Sequence, residues 1–149
     1  MLFRSGLVAG YQAFFVTVIS IKQRYPGHAK QVATVASNIQ GGAYCNRWVI
    51  VVDEDIDPSN WDDVQWALAT RCDPEISINI LNRCWSTPLD PMSRPGLADD
   101  GPRVLNSRAI VDACIPYELQ SRKLFPPVVG SSPALREKTE AKFLKLLTS

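Results

Sequence analysis

Apolar residues in this chain form short runs rich in β-branched side chains, separated by segments with helical spacing. Residues 14–21 have the composition and length of a strand, and Trp48–Val52 is an unbroken apolar run. Because the strands of a parallel sheet are covered by helices on both faces, the second run predicts a strand that is buried on both sides. Residues 76–81 and 107–114 predict two further strands.

Two helices are predicted between the first three strands. The first covers residues 27–39, where it follows a Pro-Gly pair and ends before two glycines. The second begins at Asp57-Pro58, because Asp57 can accept hydrogen bonds from free backbone N–H groups and proline suits the first helical position. Ser59 offers a rival cap, and Pro74 ends the helix. Its predicted buried stripe consists of Trp61, Val64, Leu68 and Cys72.

This alternation predicts an α/β fold, a three-layer βαβαβ arrangement with a mostly parallel sheet and flanking helices. Residues 14–130 would form that domain, after an atypical lead over residues 1–13. A proline-rich stretch over residues 86–106 interrupts the pattern, and because such long connections are usually binding loops or lids, we interpret it as a flap. Residues 131–149 predict a C-terminal amphipathic helix, whose stripe would suit either a partner molecule or the chain's own sheet.

Composition is that of an ordinary globular protein. Of the 149 residues, 46% are hydrophobic and 21% are charged, and the net charge is +1 without a block of basic residues. Nucleic-acid binding is therefore not indicated. No apolar run approaches the roughly 20 residues that span a bilayer, and the N-terminus lacks the order of segments that defines a signal peptide. We expect a cytoplasmic protein without a membrane segment.

Cysteine and histidine patterns give little support to a metal site. The four cysteines lie far apart without a C-x-x-C pair, and His28 is the only histidine, so zinc is not expected. The cysteines are interpreted as reduced and mostly buried. Since His28 follows a Pro-Gly pair at a helix start, we expect its side chain to be solvated or to cap the helix.

Four carboxylates follow the buried strand directly, at Asp53, Glu54, Asp55 and Asp57. Open α/β sheets bind ligands at the carboxyl ends of their strands, so this cluster is a candidate site. A strand followed by D-x-D suits a divalent cation that bridges a diphosphate, or an aspartyl nucleophile for phosphoryl transfer. The alternative is structural: Asp57 caps a helix, and the other carboxylates pair with Arg47 or Arg71 or face water.

Five sequence segments occur in an order that is typical of one protein family. They are SIKQRYPGHAKQVA (Ser20–Ala33), GAYCNRWVIVVDEDIDP (Gly42–Pro58), DVQWALATRCDP (Asp63–Pro74), STPLDP (Ser86–Pro91) and SRAIVDACIPYE (Ser107–Glu118). Together they resemble the C-terminal domain of the UbiD-type decarboxylases, and the match covers most of Val16–Leu147. The most specific part is VDEDIDP after a strand, followed by a helix with WALATR-x-DP. The GAY and STPLDP segments are most similar to members that act on aromatic or heteroaromatic acids.

The resemblance implies an activity and a cofactor. UbiD-type enzymes use prenylated FMN, with a divalent cation such as Mn²⁺ and with K⁺ as a further candidate, to remove CO₂ from aromatic and α,β-unsaturated carboxylic acids. Their Glu-Arg-Glu catalytic network and their flavin-phosphate site lie mainly in a preceding split-barrel domain, which nothing in this chain matches. The resemblance therefore implies a C-terminal domain, expected as a fragment or a truncated reading frame, without a catalytic residue or a metal ligand of its own.

Three residues become substrate-pocket candidates through the resemblance. Tyr44 falls where ferulate-type members place a pocket tyrosine near the cofactor, and Thr87 and Leu89 fall on positions that close over the substrate. The phosphate-binding lysine of those members is replaced by Gly41. Since the acidic cluster does not match the family's catalytic acids, the resemblance favours its structural interpretation.

Two functions from different classes follow. In the first, the chain is the C-terminal domain of a decarboxylase and supplies the flap, part of the pocket wall and the contacts of a homodimer or higher homo-oligomer through its last helix. In the second, it is a standalone assembly or binding module that associates with a full-length decarboxylase. Metal-dependent transfer through Asp53 and Asp55 is a third hypothesis, which requires tight Mn²⁺ or Mg²⁺ binding.

Overall fold

Five strands form one mixed sheet in the part of the chain that the computed structural model describes, residues 4–6, 15–39, 46–90, 92, 105–127 and 133–147. The strands are β1 (Arg4–Gly6), β2 (Val16–Ile21), β3 (Trp48–Asp53), β4 (Ile78–Trp85) and β5 (Leu105–Ala113). They lie side by side in the order β1-β2-β3-β5-β4. The three central strands are parallel, and β1 and β4 pair antiparallel along the two edges. The predicted α/β class is confirmed.

Two helices cover opposite faces of the sheet, α1 (His28–Asn38) and α2 (Trp61–Arg71). Side chains alternate along a strand, so Val49 and Val51 of β3 face α1. Ile50 and Val52 face α2. All four are buried, which explains why β3 is an unbroken apolar run, and each contributes roughly 1.5–3 kcal/mol through the apolar area it removes from water. The predicted three layers are therefore confirmed.

The strand after α2 differs from its prediction in direction. The sequence predicts a parallel strand there, but β4 follows a short helix, α3 (Pro74–Ser77), and runs antiparallel to β5 at the edge of the sheet. In this pairing Ile78 lies opposite Val111. β5 takes the central position because residues 108–111 are buried, whereas β4 has no buried residue and its edge position needs none.

The start of α2 also differs from its prediction. Its N-cap is Asn60, whose side-chain oxygen accepts a hydrogen bond from the backbone N of Asp62 at 3.1 Å. Asp57 instead accepts hydrogen bonds from the backbone N and Oγ of Ser59, at 2.9 and 2.7 Å. Both predicted caps are therefore wrong, because their hydrogen bonds close a turn that precedes the helix.

The buried face of α2 follows the predicted stripe in part. Val64 is fully buried, and Leu68 and Cys72 pack on the same core from half-buried positions. Trp61 is 41% exposed, so its predicted place in the stripe is wrong, and Arg71 lies on the buried side instead. A charged side chain in such a position needs acidic partners.

Two further helices follow β5, α4 (Tyr117–Ser121) and α5 (Pro133–Leu147). α5 is the predicted C-terminal helix, and Phe143 of its apolar stripe is 54% exposed. The domain limits at residues 14–130 and 131–149 stay predictions. None of the helices in the described ranges is both long and apolar enough to cross a bilayer.

Candidate functional site

The acidic cluster at the carboxyl end of β3 is organised around Asp53, which is 2% exposed. Its Oδ1 accepts hydrogen bonds from Nε2 of Gln23 at 2.8 Å and from Nε2 of Gln120 at 3.5 Å. Its Oδ2 accepts from Nη1 of Arg71 at 3.0 Å and from the backbone N of Ile115 at 2.7 Å. These four donors match the roughly four lone-pair sites of a carboxylate, so Asp53 joins segments of the fold and leaves no site for a ligand.

The other carboxylates of this cluster are also paired. The fully buried side chain of Arg71 donates to Oδ1 and Oδ2 of Asp55, at 2.8 and 2.5 Å. Hydrogen bonding to Arg71 lowers the pKa of Asp55. Glu54 forms an exposed ion pair with Lys22 at 3.1 Å. Among the described residues, no group of three or more His, Cys, Asp and Glu side chains could hold a metal ion. The contacts favour the structural interpretation, with Arg71 and not Arg47 as the partner.

A second polar cluster lies at the opposite end of the parallel strands, where β3 and β5 begin and β4 ends. Its buried members are Asn46, Ser86, Thr87, Asp90 and Arg108. Buried polar groups are stable only when they are hydrogen-bonded, and here the bonds converge on the segment that follows β4. This segment is the beginning of the proline-rich stretch that we predicted as a flap, so the cluster is the candidate functional site.

Asp90 anchors the segment after β4. Its Oδ1 accepts hydrogen bonds from Nη2 of Arg47 and from the backbone N of Met92, the latter at 2.9 Å. Its Oδ2 accepts from Nδ2 of Asn106 at 3.3 Å and from Oγ of Ser86 at 3.4 Å. Burial raises the pKa of Asp90, but the hydrogen bond and charge of Arg47, together with the bonds from Met92 and Asn106, outweigh it and leave the pKa below its ordinary value.

The buried side chain of Arg108 supports the same cluster. Its Nη1 donates to the backbone oxygen of Ser37 in the last turn of α1, its Nη2 donates to the backbone oxygen of Trp85, and its Nε donates to Oδ1 of Asn106 at 3.3 Å. The carbonyl end of a helix attracts a cation, which favours the contact with Ser37. Burial lowers the pKa of Arg108. The Arg108 side chain thereby joins α1, β4 and β5 next to the segment that follows β4.

The corner itself is a turn over Ser86–Asp90. The backbone oxygen of Thr87 accepts a hydrogen bond from the backbone N of Asp90 at 3.0 Å, and Oγ1 of Thr87 accepts one from the backbone N of Leu89 at 3.2 Å. Thr87 is fully buried, so it holds the turn, whereas Leu89 projects from it and is 74% exposed. The structure therefore brings two of the three predicted pocket residues into one turn. Tyr44 lies outside the described residues, as does Gly41.

A cavity of about 450 Å³ lies beside the corner. Its described lining consists of Arg47, Arg83, Met92, Leu105, Asn106 and Ser107. Arg47 also stacks on the ring of Phe15, with its Cζ 5.5 Å from the ring centroid. The cavity has the size of a small-molecule site and combines charged with apolar walls.

Sequence reasoning missed the anchoring role of Asp90 and Arg47, which are 43 residues apart. No short motif links residues at that separation, although the Asp of STPLDP was a visible signal for a fixed turn. His28 is 4% exposed, packs on the ring of Tyr25 with 4.5 Å between ring centroids, and makes no side-chain capping bond, so its predicted solvated or capping role is wrong. The three described cysteines are free thiols as predicted, but only Cys114 is buried, so the prediction that they are mostly buried is wrong for these three; burial raises the pKa of Cys114.

Comparison with known proteins supplies a family. Residues 7–113 match the 3-octaprenyl-4-hydroxybenzoate carboxy-lyase C-terminal domain. A curated protein named phenolic acid decarboxylase from Sedimentibacter hydroxybenzoicus is 38% identical over 99 residues, which are 66% of this chain and 19% of that protein. One of the same name from Bacillus subtilis is 34% identical over 140 residues, 93% of this chain and 28% of that protein. The matched regions thus span 19% and 28% of the length of these relatives.

Solved structures show the same similarity. The open form of vanillic acid decarboxylase from Sedimentibacter hydroxybenzoicus superposes with a TM-score of 0.68 at 31% identity, covering 93% of this chain and 28% of that one. The UbiD-class enzyme HmfF from Pelotomaculum thermopropionicum, in complex with FMN, superposes with a TM-score of 0.66 at 28% identity, covering 84% of this chain and 25% of that one.

Proposed function

The chain belongs to the family of the UbiD carboxy-lyase C-terminal domain, and from that premise we propose that it works as the C-terminal domain of a non-oxidative decarboxylase. Its substrates would be aromatic, heteroaromatic or α,β-unsaturated carboxylic acids. The observation that carries the proposal is the Ser86–Asp90 corner, which presents Leu89 to solvent on a base of buried hydrogen bonds. The relative from Bacillus subtilis, matched over 93% of the chain, is named phenolic acid decarboxylase.

In this proposal the corner closes over the substrate. Leu89 would form the apolar tip that excludes water from the reacting carboxylate, and Thr87 and Asp90 would keep the tip in place. Arg47 acts through Asp90, because its guanidinium holds the carboxylate on which the turn depends. The vanillic acid decarboxylase of Sedimentibacter hydroxybenzoicus has been solved in an open form and in a closed form, which supports a mobile closure in the family.

The family also implies a flavin cofactor. HmfF has been solved with FMN and, in an evolved dimeric form, with prFMN. When bound, prenylated FMN supplies an electron sink for decarboxylation. The described residues do not fit the accompanying divalent cation, because they contain no metal-binding group and Asp53 and Asp55 are already bound to Arg71. A pocket role for Tyr44 beside the flavin stays a prediction.

The test is a chimera in which this chain replaces the matched C-terminal region of the Bacillus subtilis relative. We expect the chimera to decarboxylate a phenolic acid and expect Leu89→Ala to lower its kcat/KM by at least roughly tenfold, which is 1.4 kcal/mol of transition-state stabilisation. Ile76→Ala is the matched control, because Ile76 is equally exposed but lies in α3. A chimera that folds and binds flavin but is inactive would contradict the proposal, as would turnover by the isolated chain.

The alternative function is a binding module that associates with a full-length decarboxylase. Its supporting observation is that all four tryptophans of the chain are more than a third exposed, since indole side chains are enriched at protein interfaces. Homo-oligomer contacts are proposed for α5, through Phe143. Phe143→Ser should lower the mass measured by light scattering if the helix joins two copies, whereas an unchanged mass would remove that contact.

A further inference from the structure

One uncharged side chain connects the buried guanidinium of the polar cluster to the carboxylate of the corner. Asn106, near the start of β5, accepts a hydrogen bond with Oδ1 from Nε of Arg108 at 3.3 Å, and its Nδ2 donates to Oδ2 of Asp90 at 3.3 Å. The same Nδ2 lies 3.0 Å from Oγ of Ser86 and 3.3 Å from the backbone oxygen of Asn46. Asn106 therefore stands between Arg108, which is 1% exposed, and the carboxylate on which the turn depends.

The surroundings of Asn106 fix the direction of its amide. A guanidinium only donates hydrogen bonds and an ionised carboxylate only accepts them, so a rotated amide would turn its NH₂ group towards Arg108 and its oxygen towards Asp90. The two N–H bonds of the amide already serve three acceptors, which leaves neither of them for a further partner. Although Asn106 lines the cavity, its N–H groups are thus used within the protein.

An irregularity in the sheet brings the corner towards Asn106. Leu81 pairs with Arg108 across the ladder. The next pair is Cys84 with Asn106, so β4 has one residue more than β5 in this interval. Arg83, with φ +57°, lies in the resulting bulge. The extra residue shifts the end of β4 by one position, and the corner comes one residue nearer to Asn106 than an unbroken ladder would place it.

We infer that Asn106 is a positioning residue for the proposed decarboxylation. Its amide holds Asp90, and Asp90 in turn accepts a hydrogen bond from the backbone N of Met92 at the end of the turn from which Leu89 projects. A turn that closes over a substrate must return to one position in every cycle, and a side chain on a strand of the sheet supplies a fixed point for it. The inference deepens the proposed function and rests on it for the reaction alone.

Asn106→Asp tests the inference in the chimera with a phenolic acid as substrate. The variant keeps the size of the side chain and the acceptor for Arg108, but it replaces the donor by a carboxylate that repels Asp90. At pH 7 we expect kcat to fall and KM to rise, so that kcat/KM drops at least roughly tenfold. A loss of folded protein alone would lower kcat at unchanged KM. Asn82→Asp is the matched control and should leave both constants unchanged, because Asn82 is exposed on β4 and bonds only to Ser107 among the described side chains.

Acid should restore part of the activity of Asn106→Asp. As pH falls, a proton held between the new carboxyl and that of Asp90 again provides a donor, so kcat/KM should recover to within about threefold of the parent value at pH 5. Among the described residues, the other charged or titratable side chains that bond to this pair, lie opposite it on β4 or line the cavity are Arg47, Arg83, Cys84 and Arg108. They are present in the parent as well, so the ratio of variant to parent isolates the new carboxyl. A ratio that does not change with pH, or equal kinetics for Asn106→Asp and Asn82→Asp, would overturn the inference.

Amide hydrogen exchange in the full 149-residue chain tests the position of the turn without the reaction. At pH 7, Asn106→Asp should accelerate exchange at Leu89 and Met92 at least roughly tenfold more than at Ile115, whereas Asn82→Asp should affect these amides alike. Equal acceleration at all three amides in Asn106→Asp would overturn the inference, even if the chimera is active. Selective acceleration in the turn together with an inactive parent chimera would remove the decarboxylase function and keep Asn106 as the residue that positions the turn.

Discussion

Asp53→Asn tests whether the acidic cluster is a structural junction. An asparagine can still accept hydrogen bonds with one oxygen, but its NH₂ group must face either the amides of Gln23 and Gln120 or the donors of Arg71 and Ile115. The Gln23 amide cannot simply rotate, because its Nε2 also donates to the backbone oxygen of Ile115 at 2.7 Å. Donors would therefore meet donors in a buried place, whichever way the new amide turns.

The expected cost follows from these contacts. Each buried donor left without an acceptor costs about 1–3 kcal/mol, and Arg71 keeps its second partner, Asp55, so we expect a total loss of about 3 kcal/mol. For a chain of this size, that lowers the melting temperature by roughly 6–12 °C. Urea denaturation of the full chain, followed by tryptophan fluorescence, measures the loss as a lower midpoint at unchanged slope.

The matched control is Glu54→Gln, which removes the same charge from an exposed neighbour. Among the described residues, the ion pair of Glu54 is with exposed Lys22, so we expect a change within about 0.5 kcal/mol. Mg²⁺ or Mn²⁺ should not raise the melting temperature of the unmodified chain. A small effect of Asp53→Asn, or a metal-induced stabilisation that this substitution abolishes, would refute the structural reading and restore the metal-dependent transfer hypothesis.

Three further predictions concern stability and pH. Gly27→Ala should cost about 1–2 kcal/mol in thermal melts, because Gly27 has φ +79°. An added Cβ would meet no atom within 4 Å, so the cost comes from backbone strain alone. Gly27→Asn should cost less, and an Ala variant as stable as the parent would contradict this reasoning. Asp90→Asn should cost about 2 kcal/mol at pH 7. Because the pKa of Asp90 is lowered, its contribution to stability is present above the unfolded pKa and is lost as pH falls through the folded pKa, so the urea midpoints of variant and parent should converge in acid. Burial raises the pKa of Asp112, so this residue favours the folded protein below the unfolded pKa, and that advantage is lost as pH rises through the folded pKa. Asp112→Asn keeps the acceptor for the backbone N of Cys114. In urea denaturation it should therefore stabilise the fold by on the order of 1 kcal/mol at pH 7 and by less at pH 3.

The layers of the fold were predictable because they follow from local patterns. The unbroken run of β3 requires cover on both faces, and the helix α1 occurs at His28–Asn38, within the predicted residues 27–39. The direction of β4 was not predictable in the same way. It depends on which of two strands competes better for the centre of the sheet, and that is decided by tertiary burial of β5 and not by the sequence of β4 alone.

The candidate site was likewise predictable only where local sequence decides the structure. Thr87 and Leu89 could be named only through the family resemblance of the STPLDP segment, and this segment folds as one turn. Their different burial could not be read from the motif, because it depends on a carboxylate at Asp90 that draws Arg47 across the sheet end. The cap at Asn60 was missed for a related reason, because Asp57, Ser59 and Asn60 could each cap α2. Asp57 and Ser59 bind each other in the preceding turn, which leaves Asn60 as the cap.

The junction at Asp53 has a consequence for how the chain opens. One carboxylate joins the segments after β2 and β5 to the ends of β3 and α2, so none of them can separate while the others stay in place. Amide hydrogen exchange at Ile115 should therefore proceed only through global unfolding, at the slowest rates in the chain. The turn at Ser86–Asp90 instead depends on the carboxylate of Asp90, at the opposite end of the parallel strands. Its amides can exchange through a local fluctuation that leaves the rest of the protein intact.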